Sequence, residues 1–448
     1  METTLNQTFL EELVGRTKKS NAEHFKHFPG DLIQRQPVHT VYGGAHLFKA
    51  NTAKRMGELA IRHLETYGKD PGQFSDALGL SRSDWLRNTV YERVMEKLHN
   101  EAVEDFRIDF EDGFGYRPDA EEDNTAIQAA LEVRKGLDGN TLPPFIGIRV
   151  KSLTNEMAHR AFRTLDIFVS QLVKDGGELP KNFIVTLPKI TAAEQVSIFC
   201  EALTRLEDSL LLEKDAIKLE FMVELTQTLF DSQGRSHLPA IAEAAGERLF
   251  GAHFGTYDYT ASCNITAAHQ AMSHPACDFA RQIMKNTLSG RPIFLSDGAT
   301  NIMPVGPHKA TDEKPLTNNE IDINFKTVHG AWKIAYQHIR QSLELGFYQG
   351  WDLHPGQLPV RYGASYAFFL EGLEQATNRL NAFMDKATQA TLLGDVFDDA
   401  ATGQGLLNYF IRALSCKAIT EEEVTNAGIT MEELQTRSFA KIMELRTK

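Results

Sequence analysis

The sequence has few cysteines and no long apolar run, and each shortage argues against a class of protein. Only four of its 448 residues are cysteine, at positions 200, 263, 277 and 416, and none belongs to a CxxC pair. Scattered thiols in a chain of this length predict reduced, cytosolic and mostly structural cysteines. No stretch approaches the roughly 18 consecutive apolar residues that a membrane span needs, so the sequence predicts no transmembrane segment.

Positively charged residues are also fewer than negatively charged ones. The chain has 47 Lys and Arg against 60 Asp and Glu, a formal net charge of −13. This balance disfavours nucleic acid or an anionic membrane as the main partner. The first residues lack the basic start and apolar stretch of a secretory signal. We therefore expect a cytoplasmic protein whose partner is a small molecule.

Short apolar runs alternate with longer helical patterns along much of the chain. Eight runs rich in Val, Ile and Phe read as strands, and they occupy residues 39–44, 106–112, 144–152, 182–190, 217–224, 248–258, 292–298 and 347–356. In the segments between them, apolar residues recur every three or four positions, as in an amphipathic helix. Eight strands alternating with helices predict the α/β class and a (β/α)₈ TIM barrel.

The predicted barrel covers residues 1–357. Its first part, about 1–105, reads as a helical extension and insertion that includes a turn-like PGQFSD, and 303–322 reads as a surface loop. Residues 358–448 contain no strand candidate. They predict a helical segment that is either a lid over the barrel mouth or an oligomer contact, and we expect a homo-oligomer.

Two capping boxes support the helical prediction for the C-terminal segment. Thr420 with Glu423, and Thr430 with Glu433, have the spacing at which a threonine and a glutamate open a helix.

Ionisable residues follow almost every predicted strand. The C-terminal ends of barrel strands form the face that holds the active site in this fold, so these residues are the first candidates for function. In chain order the strand ends carry Tyr42-Gly43-Gly44, Asp109, Glu111, Asp112, Arg149, Lys189, Glu224, Asp258, Asp297 and His354.

Glu224 and Asp258 form the clearest pair in this set. They are 34 residues apart, one strand–helix–strand step, and neighbouring strands lie about 5 Å apart. Two carboxylates with water and substrate oxygens suit Mg²⁺, which rarely has an all-protein cage. The alternative is two ordinary acids, one capping a helix and one in a surface ion pair.

Arg149 is placed to hold a substrate carboxylate in a bidentate fork. The alternative, which does not exclude the first, is a structural pair with Glu111 or Asp112. Asp109 and Glu111 alternate with a phenylalanine, so both are expected at the polar inner mouth of the barrel. Asp112 could instead be a solvated loop acid.

Lys189 has two interpretations. A barrel lysine forms a Schiff base if its pKa is lowered, but the surrounding carboxylates favour the charged ammonium, so an electrostatic or structural role is preferred. His269 and His274 lie five residues apart and are predicted not to be ligands. For His354, a hydrogen bond across the strand end is preferred to a role as general base.

Six motifs together resemble a known family. IDFEDG, GIRVKSL, VTLPKI, FMVEL, FGTYDY and DLHPGQ occur in this order over about residues 100–360. They resemble the citrate lyase beta-subunit and HpcH/HpaI aldolase family with its malyl-CoA-lyase-like relatives, which has a (β/α)₈ barrel. The resemblance implies that Glu224 and Asp258 are Mg²⁺ ligands, with Mn²⁺ as a substitute.

The same resemblance assigns the substrate-binding residues. It implies that Arg149 binds the substrate carboxylate, supported by the acidic run Asp109, Glu111 and Asp112. YGGAHLF, with Gly43 and Gly44, stands where the family has V-P-G. These glycines, Asp109 and His354 are expected to contact substrate.

The sequence thus predicts a Mg²⁺-dependent carbon–carbon lyase or aldolase for a 2-oxo or hydroxy acid, free or as a CoA thioester. Arg149, Glu111, Asp112 and Lys189 are the predicted catalytic residues. The general base is not identified, and Asp395, Asp398 and Asp399 in GDVFDDAATG are candidates. A Schiff-base aldolase using Lys189 and a non-catalytic barrel subunit are the alternatives.

Overall fold

The computed structural model describes residues 4–30, 32, 34–80, 83–311, 314–385, 391–393, 396–398 and 400–447. Within these residues, no helix combines the length and the apolar character that crossing a membrane requires.

Eight parallel strands close into a barrel in chain order, which confirms the predicted (β/α)₈ fold. Each strand pairs with the next, and the last pairs with the first. The strands are β1 (His39–Gly44), β2 (Asp105–Asp109), β3 (Phe145–Arg149), β4 (Phe183–Leu187), β5 (Lys218–Val223), β6 (Leu249–Phe254), β7 (Phe294–Ala299) and β8 (Gln349–Asp352).

Helices surround this barrel, and further helices precede β1 and follow β8 in the chain. Apart from α1, which has no buried residue, they bury one apolar face against the strands or against each other. They are α1 (Gln7–His27), α2 (Thr52–Tyr67), α3 (Pro71–Leu78), α4 (Asp84–Glu101), α5 (Asp119–Asp138), α6 (Ala158–Val173), α7 (Ala193–Leu210), α8 (Thr226–Leu229), α9 (Leu238–Ala245), α10 (Thr256–Ser262), α11 (Pro275–Leu288), α12 (Asn318–Glu344), α13 (Leu358–Asp385), α14 (Ala400–Ser415), α15 (Glu421–Asn426), α16 (Met431–Gln435) and α17 (Phe439–Thr447).

The insertion between β1 and β2 consists of α2, α3 and α4, which pack against α12 and α13. The prediction of a turn at PGQFSD was wrong, because this sequence starts α3. Asp70 caps the helix by accepting a hydrogen bond from the Gln73 amide at 2.8 Å, and Pro71 occupies the first helical position, where its missing N–H costs nothing. Gly79 ends the helix in the left-handed conformation.

The C-terminal segment begins with a helix that belongs to the barrel. Helix α13 starts at the predicted boundary, residue 358, and packs against α4 and α12 in the outer layer. The separate part of the segment therefore follows this helix. It contains one feature that the sequence did not predict, a two-stranded antiparallel sheet of β9 (Thr391–Leu393) and β10 (Val396–Asp398).

Both predicted capping boxes are present, at the starts of α15 and α16. Helix α14 packs near the start of β1, where Arg412 donates a hydrogen bond to Gln36 at 2.9 Å and Ser415 accepts one from the Gln36 amide. This is the opposite end of the barrel from the strand ends that carry the candidate site. A role for the segment in oligomer formation stays a prediction.

The barrel interior has two kinds of layer. An apolar layer of Phe145, Ile184, Phe250 and Phe294 fills the interior near the starts of the strands. Above it lies a charged layer, in which Arg107 donates to Glu220 through Nε and Nη2, both at 2.8 Å, and also to Asp105. These three side chains are fully buried, so the interior is filled and no channel runs along the axis.

Candidate active site

The structure brings together seven charged side chains at the C-terminal ends of β2 to β6, as the barrel register predicts. Five are carboxylates and two are cations: Asp109, Glu111, Asp112, Glu224, Asp258, Arg149 and Lys189. We call this group the rim cluster. Its excess of negative charge indicates a place for a further cation.

Arg149 and Asp109 end neighbouring strands and are paired in the register of β2 and β3. Arg149 donates from Nε to Oδ1 of Asp109 at 2.7 Å and from Nη2 to Oδ2 at 2.5 Å, and both side chains are buried. Burial alone would raise the pKa of Asp109, but the charge of Arg149 outweighs it and holds the pKa below its ordinary value. The pair thus gives the guanidinium a fixed orientation.

The structural pairing considered for Arg149 exists, but its main partner is Asp109. Nη1 of Arg149 lies 3.1 Å from Oε2 of Glu111 and 3.8 Å from Asp112. The interaction with Glu111 does not meet hydrogen-bond geometry, and Oε2 of Glu111 is buried without a hydrogen-bond partner. Asp112 is 59% exposed, so it lies at the solvent side of the cluster.

Lys189 lies at the centre of the rim cluster. Its Nζ donates to Glu111 and lies 3.4 Å from both Asp112 and Asp258. Burial would lower the pKa of the ammonium, but Glu224 and Glu111 outweigh burial and raise the pKa above its ordinary value. A Schiff-base lysine needs the opposite shift.

The backbone at Lys189 adopts a conformation that is rare for residues other than glycine. Its φ is +51°, in the left-handed region, and its N–H donates to Oε1 of Glu224 at 2.7 Å. One residue therefore contacts Glu224 through its backbone and Asp258 through its side chain. This double contact brings the two predicted metal ligands into one cluster.

Glu224 is almost fully buried, one residue beyond β5. Burial is the main reason that its pKa is raised to about 8, and the charges of Glu111 and Asp258 raise it further. Gly255 gives the carboxylate room, because a Cβ atom there would lie 2.7 Å from Oε2 of Glu224. A buried carboxyl with a raised pKa among other acids has the surroundings of a group that binds a cation.

The sequence predicted that Asp258 ends a strand. The structure instead places it in the first turn of α10. It is 38% exposed. The sequence run 248–258 overran β6 because the helix begins directly after Gly255, with Thr256 as its first residue. The shift moves the carboxylate outward but leaves it beside Lys189.

The donors of the rim cluster fit a hard divalent cation. Among the described residues, no group of three or more His, Cys, Asp or Glu side chains is arranged as a complete metal site. Glu224 and Asp258 are a pair of carboxylates, and Mg²⁺ is commonly held by one or two carboxylates with water and substrate oxygens. The unpaired Oε2 of Glu111 supplies a nearby acceptor for a bound water.

The two glycines after β1 lie where the chain packs tightly. A Cβ at Gly43 would lie 2.6 Å from the Phe106 ring, and one at Gly44 would lie 2.3 Å from the carbonyl oxygen of Gly113. Glycine is therefore required at both positions for packing. Contact of their backbone with substrate stays a prediction.

His354 and Asp297 have local partners. Nδ1 of His354 accepts a hydrogen bond from the Gly356 amide at 3.0 Å, and its ring lies 5.3 Å from that of His63. Asp297 is fully buried and pairs with Arg281 at 2.9 Å. Asp297 therefore serves the packing of α11 against β7, although it lies near the end of a predicted strand like the cluster residues.

His269 is the last residue of a short 3₁₀ helix, and His274 caps α11 by accepting a hydrogen bond from the Ala276 amide. Of the three candidate bases in GDVFDDAATG, Asp395 and Asp399 lie outside the described residues. Asp398 is the last residue of β10, and its side chain is not described.

Sequence reasoning did not assign a role to two aromatic residues beneath the rim cluster. The rings of Tyr42 on β1 and Trp351 on β8 are stacked, with centroids 4.2 Å apart. The guanidinium carbon of Arg149 lies 4.8 Å from the Tyr42 ring centroid. The signal in the sequence is the period-two pattern of a strand, in which Tyr42 and Trp351 alternate with residues that face outward.

The fold and the rim cluster thus define a (β/α)₈ barrel with an acidic site at the C-terminal ends of its strands. Residues 17–442 match the model of the family described as Domain of unknown function (DUF6986). The chain belongs to this family. None of the curated proteins matches the chain in sequence.

Solved structures with a similar fold include a citrate lyase from Burkholderia xenovorans LB400. It is 14% identical, the match covers 90% of this chain and 98% of that chain, and the TM-score is 0.55. Protein CitE from Mycobacterium tuberculosis, in complex with magnesium, acetoacetate and coenzyme A, is 16% identical over 85% and 99% of the two chains, with a TM-score of 0.47. The predicted resemblance to citrate lyase beta-subunit-like proteins is confirmed at the level of the fold.

Proposed function

We propose that this chain is a Mg²⁺-dependent carbon–carbon lyase or aldolase that acts on a small 2-oxo or hydroxy acid. The observation that carries the proposal is the composition of the rim cluster, in which five carboxylates surround two cations and Glu224 and Asp258 meet at Lys189. A barrel that needed only stability would have no use for this excess of negative charge at its active-site face.

Arg149 is the residue proposed to bind the substrate carboxylate. Asp109 accepts from Nε and Nη2, so the guanidinium keeps one orientation and still has N–H groups for a ligand. Because the group is preorganised, little reorganisation is needed when charge develops on the substrate.

Glu224 and Asp258 are the residues proposed to hold the metal. When bound, Mg²⁺ would polarise the oxygen next to the substrate carboxylate and stabilise negative charge there. Lys189 adds a second positive charge on the same side, with its ammonium held by Glu111. Glu111 and Asp112 orient this ammonium rather than react with the substrate.

The cleavage itself follows aldol chemistry. A base takes the proton of the substrate hydroxyl, the O–H electron pair forms a carbonyl, and the adjacent carbon–carbon bond breaks. The electrons of that bond form an enolate, whose charge lies beside Arg149 and Lys189 and which is then protonated. In the synthetic direction the same charges activate the carbonyl.

The two alternative functions receive less support. A Schiff-base aldolase needs a neutral Lys189, whereas the carboxylates around it raise the pKa of its ammonium. A non-catalytic subunit would have no reason to keep a buried Glu224 with a raised pKa.

A substrate screen tests the proposal. Purified protein is incubated with Mg²⁺ and a panel of oxo acids, hydroxy acids and hydroxyacyl-CoA thioesters, and cleavage products are measured. We expect turnover of a member of the panel, loss of turnover with EDTA, and recovery with added Mg²⁺ or Mn²⁺. Turnover that persists in EDTA would contradict the metal-dependent mechanism.

The free-acid and thioester arms of the panel separate the two forms of substrate.

A pair of variants tests the metal ligand. Asp258→Asn should lose the activity, while Asp322→Asn, which changes an exposed acid on α12 in the same way, should keep it. Equal activity of the two variants would exclude Asp258 from the mechanism.

A further inference from the structure

The aromatic pair Tyr42 and Trp351, here called the aromatic floor, lies directly beneath the rim cluster. The two residues come from β1 and β8, neighbouring strands in the closed barrel. Their rings are stacked with an interplanar angle of 28°, and both residues are half-buried. Among the described residues, the fully buried charged layer closes the interior below the rings, so the interior opens at this level toward the mouth.

The floor is in contact with the guanidinium that we propose as the carboxylate-binding group. The Arg149 carbon Cζ lies 4.8 Å from the Tyr42 centroid and 6.0 Å from the Trp351 centroid. A guanidinium over an aromatic face is attracted to it. Tyr42 thus covers one face of Arg149 while Asp109 holds its edge, and together they determine where the guanidinium can meet a ligand.

The polar ends of both rings point down into the barrel. The Tyr42 hydroxyl lies 3.4 Å from Glu220 and 3.4 Å from Nδ1 of His253, and the indole N–H of Trp351 donates to the same nitrogen at 3.3 Å. His253 in turn lies 3.1 Å from Glu220 through Nε2. The floor is therefore joined to the charged layer by hydrogen bonds.

That charged layer cannot move aside for a ligand. Glu220 and Arg107 are fully buried, and their polar atoms are all paired with each other or with Asp105, Thr186 and His253. Breaking a buried ion pair leaves an uncompensated charge, which is strongly unfavourable. The floor has a rigid support, unlike an apolar core that could repack.

We infer that Tyr42 and Trp351 set the depth of the substrate pocket and restrict this site to short-chain acids. The inference rests on the proposed function, because it concerns the acid bound at Arg149. A substrate whose carboxylate binds there cannot extend a chain down the barrel axis, where the stacked rings lie.

The test measures a preference between two acids. Binding of pyruvate and of 2-oxopentanoate is measured by calorimetry with Mg²⁺ for the unaltered protein and for Tyr42→Leu, Tyr42→Phe and Trp351→Phe. A ratio of affinities within one variant is insensitive to partial loss of folded protein. Trp85→Phe, which changes an exposed tryptophan on α4, is the matched control.

We expect the unaltered protein to prefer pyruvate, and Tyr42→Leu and Trp351→Phe each to reduce that preference about tenfold, the usual effect of space for a methylene group or two. Tyr42→Leu should also weaken pyruvate binding, because it removes the aromatic face beside Arg149. Tyr42→Phe keeps the ring and should retain the preference, as should Trp85→Phe.

The outcomes separate the two proposals. If the unaltered protein binds pyruvate and the preference is the same in Tyr42→Leu and Trp351→Phe, the aromatic floor does not set pocket depth, while the proposed function stands. If the unaltered protein binds neither acid with Mg²⁺ present, or binds 2-oxopentanoate as tightly as pyruvate, the inference about the floor is wrong, and the substrate screen decides the proposed function separately.

Discussion

Two charged regions of the same barrel, a few residues apart along the strands, differ in how completely their polar atoms are hydrogen-bonded. In the interior layer, Arg107 is paired with Asp105 and Glu220, and the polar atoms of these buried side chains all have partners. At the rim, five carboxylates share two cations, and Oε2 of Glu111 has no hydrogen bond. The same residue types therefore occur in one arrangement whose hydrogen bonds are complete and in one whose hydrogen bonds are not.

The difference separates structural charge from functional charge. A paired interior charge resists change, because removing one partner strands the other. At the rim, the pKa of Glu224 is raised to about 8, first by burial and then by the neighbouring acids, so its environment favours either a proton or a cation. Burial is common to both regions, and it is the missing hydrogen-bond partner that marks the site.

The largest expected effect is the loss of activity in Asp258→Asn. The substitution removes one proposed metal ligand without removing volume, and loss of metal-assisted charge stabilisation should lower turnover about a thousandfold. Because Asp258 is partly exposed, the melting temperature should change little. Turnover is measured with the substrate found in the screen, and thermal unfolding is followed in parallel. A large loss of stability would move Asp258 into the class of structural charges.

Arg107→Leu should, in contrast, act mainly on the stability of the fold. It leaves Glu220 and Asp105 buried without their cation, which should destabilise the fold by about 3–5 kcal/mol. Urea unfolding followed by circular dichroism measures this. A variant that also carries Glu220→Gln should recover part of the loss, because it removes one of the stranded charges. Stability equal to the unaltered protein in Arg107→Leu would contradict the account of the interior layer.

Glu224→Gln tests the raised pKa through stability. A carboxyl whose folded pKa of about 8 exceeds its ordinary value of 4.5 contributes stability that is complete below pH 4.5 and is lost as pH rises through 8. Without metal, Glu224→Gln should therefore have a larger free energy of unfolding than the unaltered protein. This difference should grow between pH 5 and pH 9, to about a few kcal/mol. Unfolding curves at several pH values measure this difference. A difference in unfolding free energy that stays constant across the pH range would contradict the raised pKa.

The smallest expected effect concerns Lys189. Its raised pKa keeps the ammonium charged, so borohydride added with substrate should leave no covalent adduct and no lasting loss of activity. Mass spectrometry of the treated protein measures this. An adduct on Lys189, together with resistance to EDTA, would establish the Schiff-base alternative.

The barrel and most of the rim were predictable because they depend on local patterns. Runs such as NFIVTLPKI mark strands by composition, and the parallel register brings their ends together, so Arg149 and Glu224 could be assigned to one face. The start of α10 was not predictable from composition, and Asp258 was therefore placed on a strand instead of a helix.

The interior layer could not be predicted because its partners lie across the barrel. Arg107 and Glu220 belong to β2 and β5, and their contact depends on barrel diameter and strand tilt rather than on spacing in the sequence. Asp297 is a similar case, since its partner Arg281 comes from a helix and only the structure shows their pairing. A charged residue at a strand end thus indicates function only when its partners in the fold are known.

The most direct test of the account is calorimetric titration of the metal-free protein with Mg²⁺ at pH 7, in two buffers with different ionisation enthalpies. Because Glu224 must lose its proton to bind a cation, we predict binding with release of about one proton, and no binding in Asp258→Asn under the same conditions. Absence of binding to the unaltered protein, or equal binding to Asp258→Asn, would contradict the central claim that the rim cluster is a metal site.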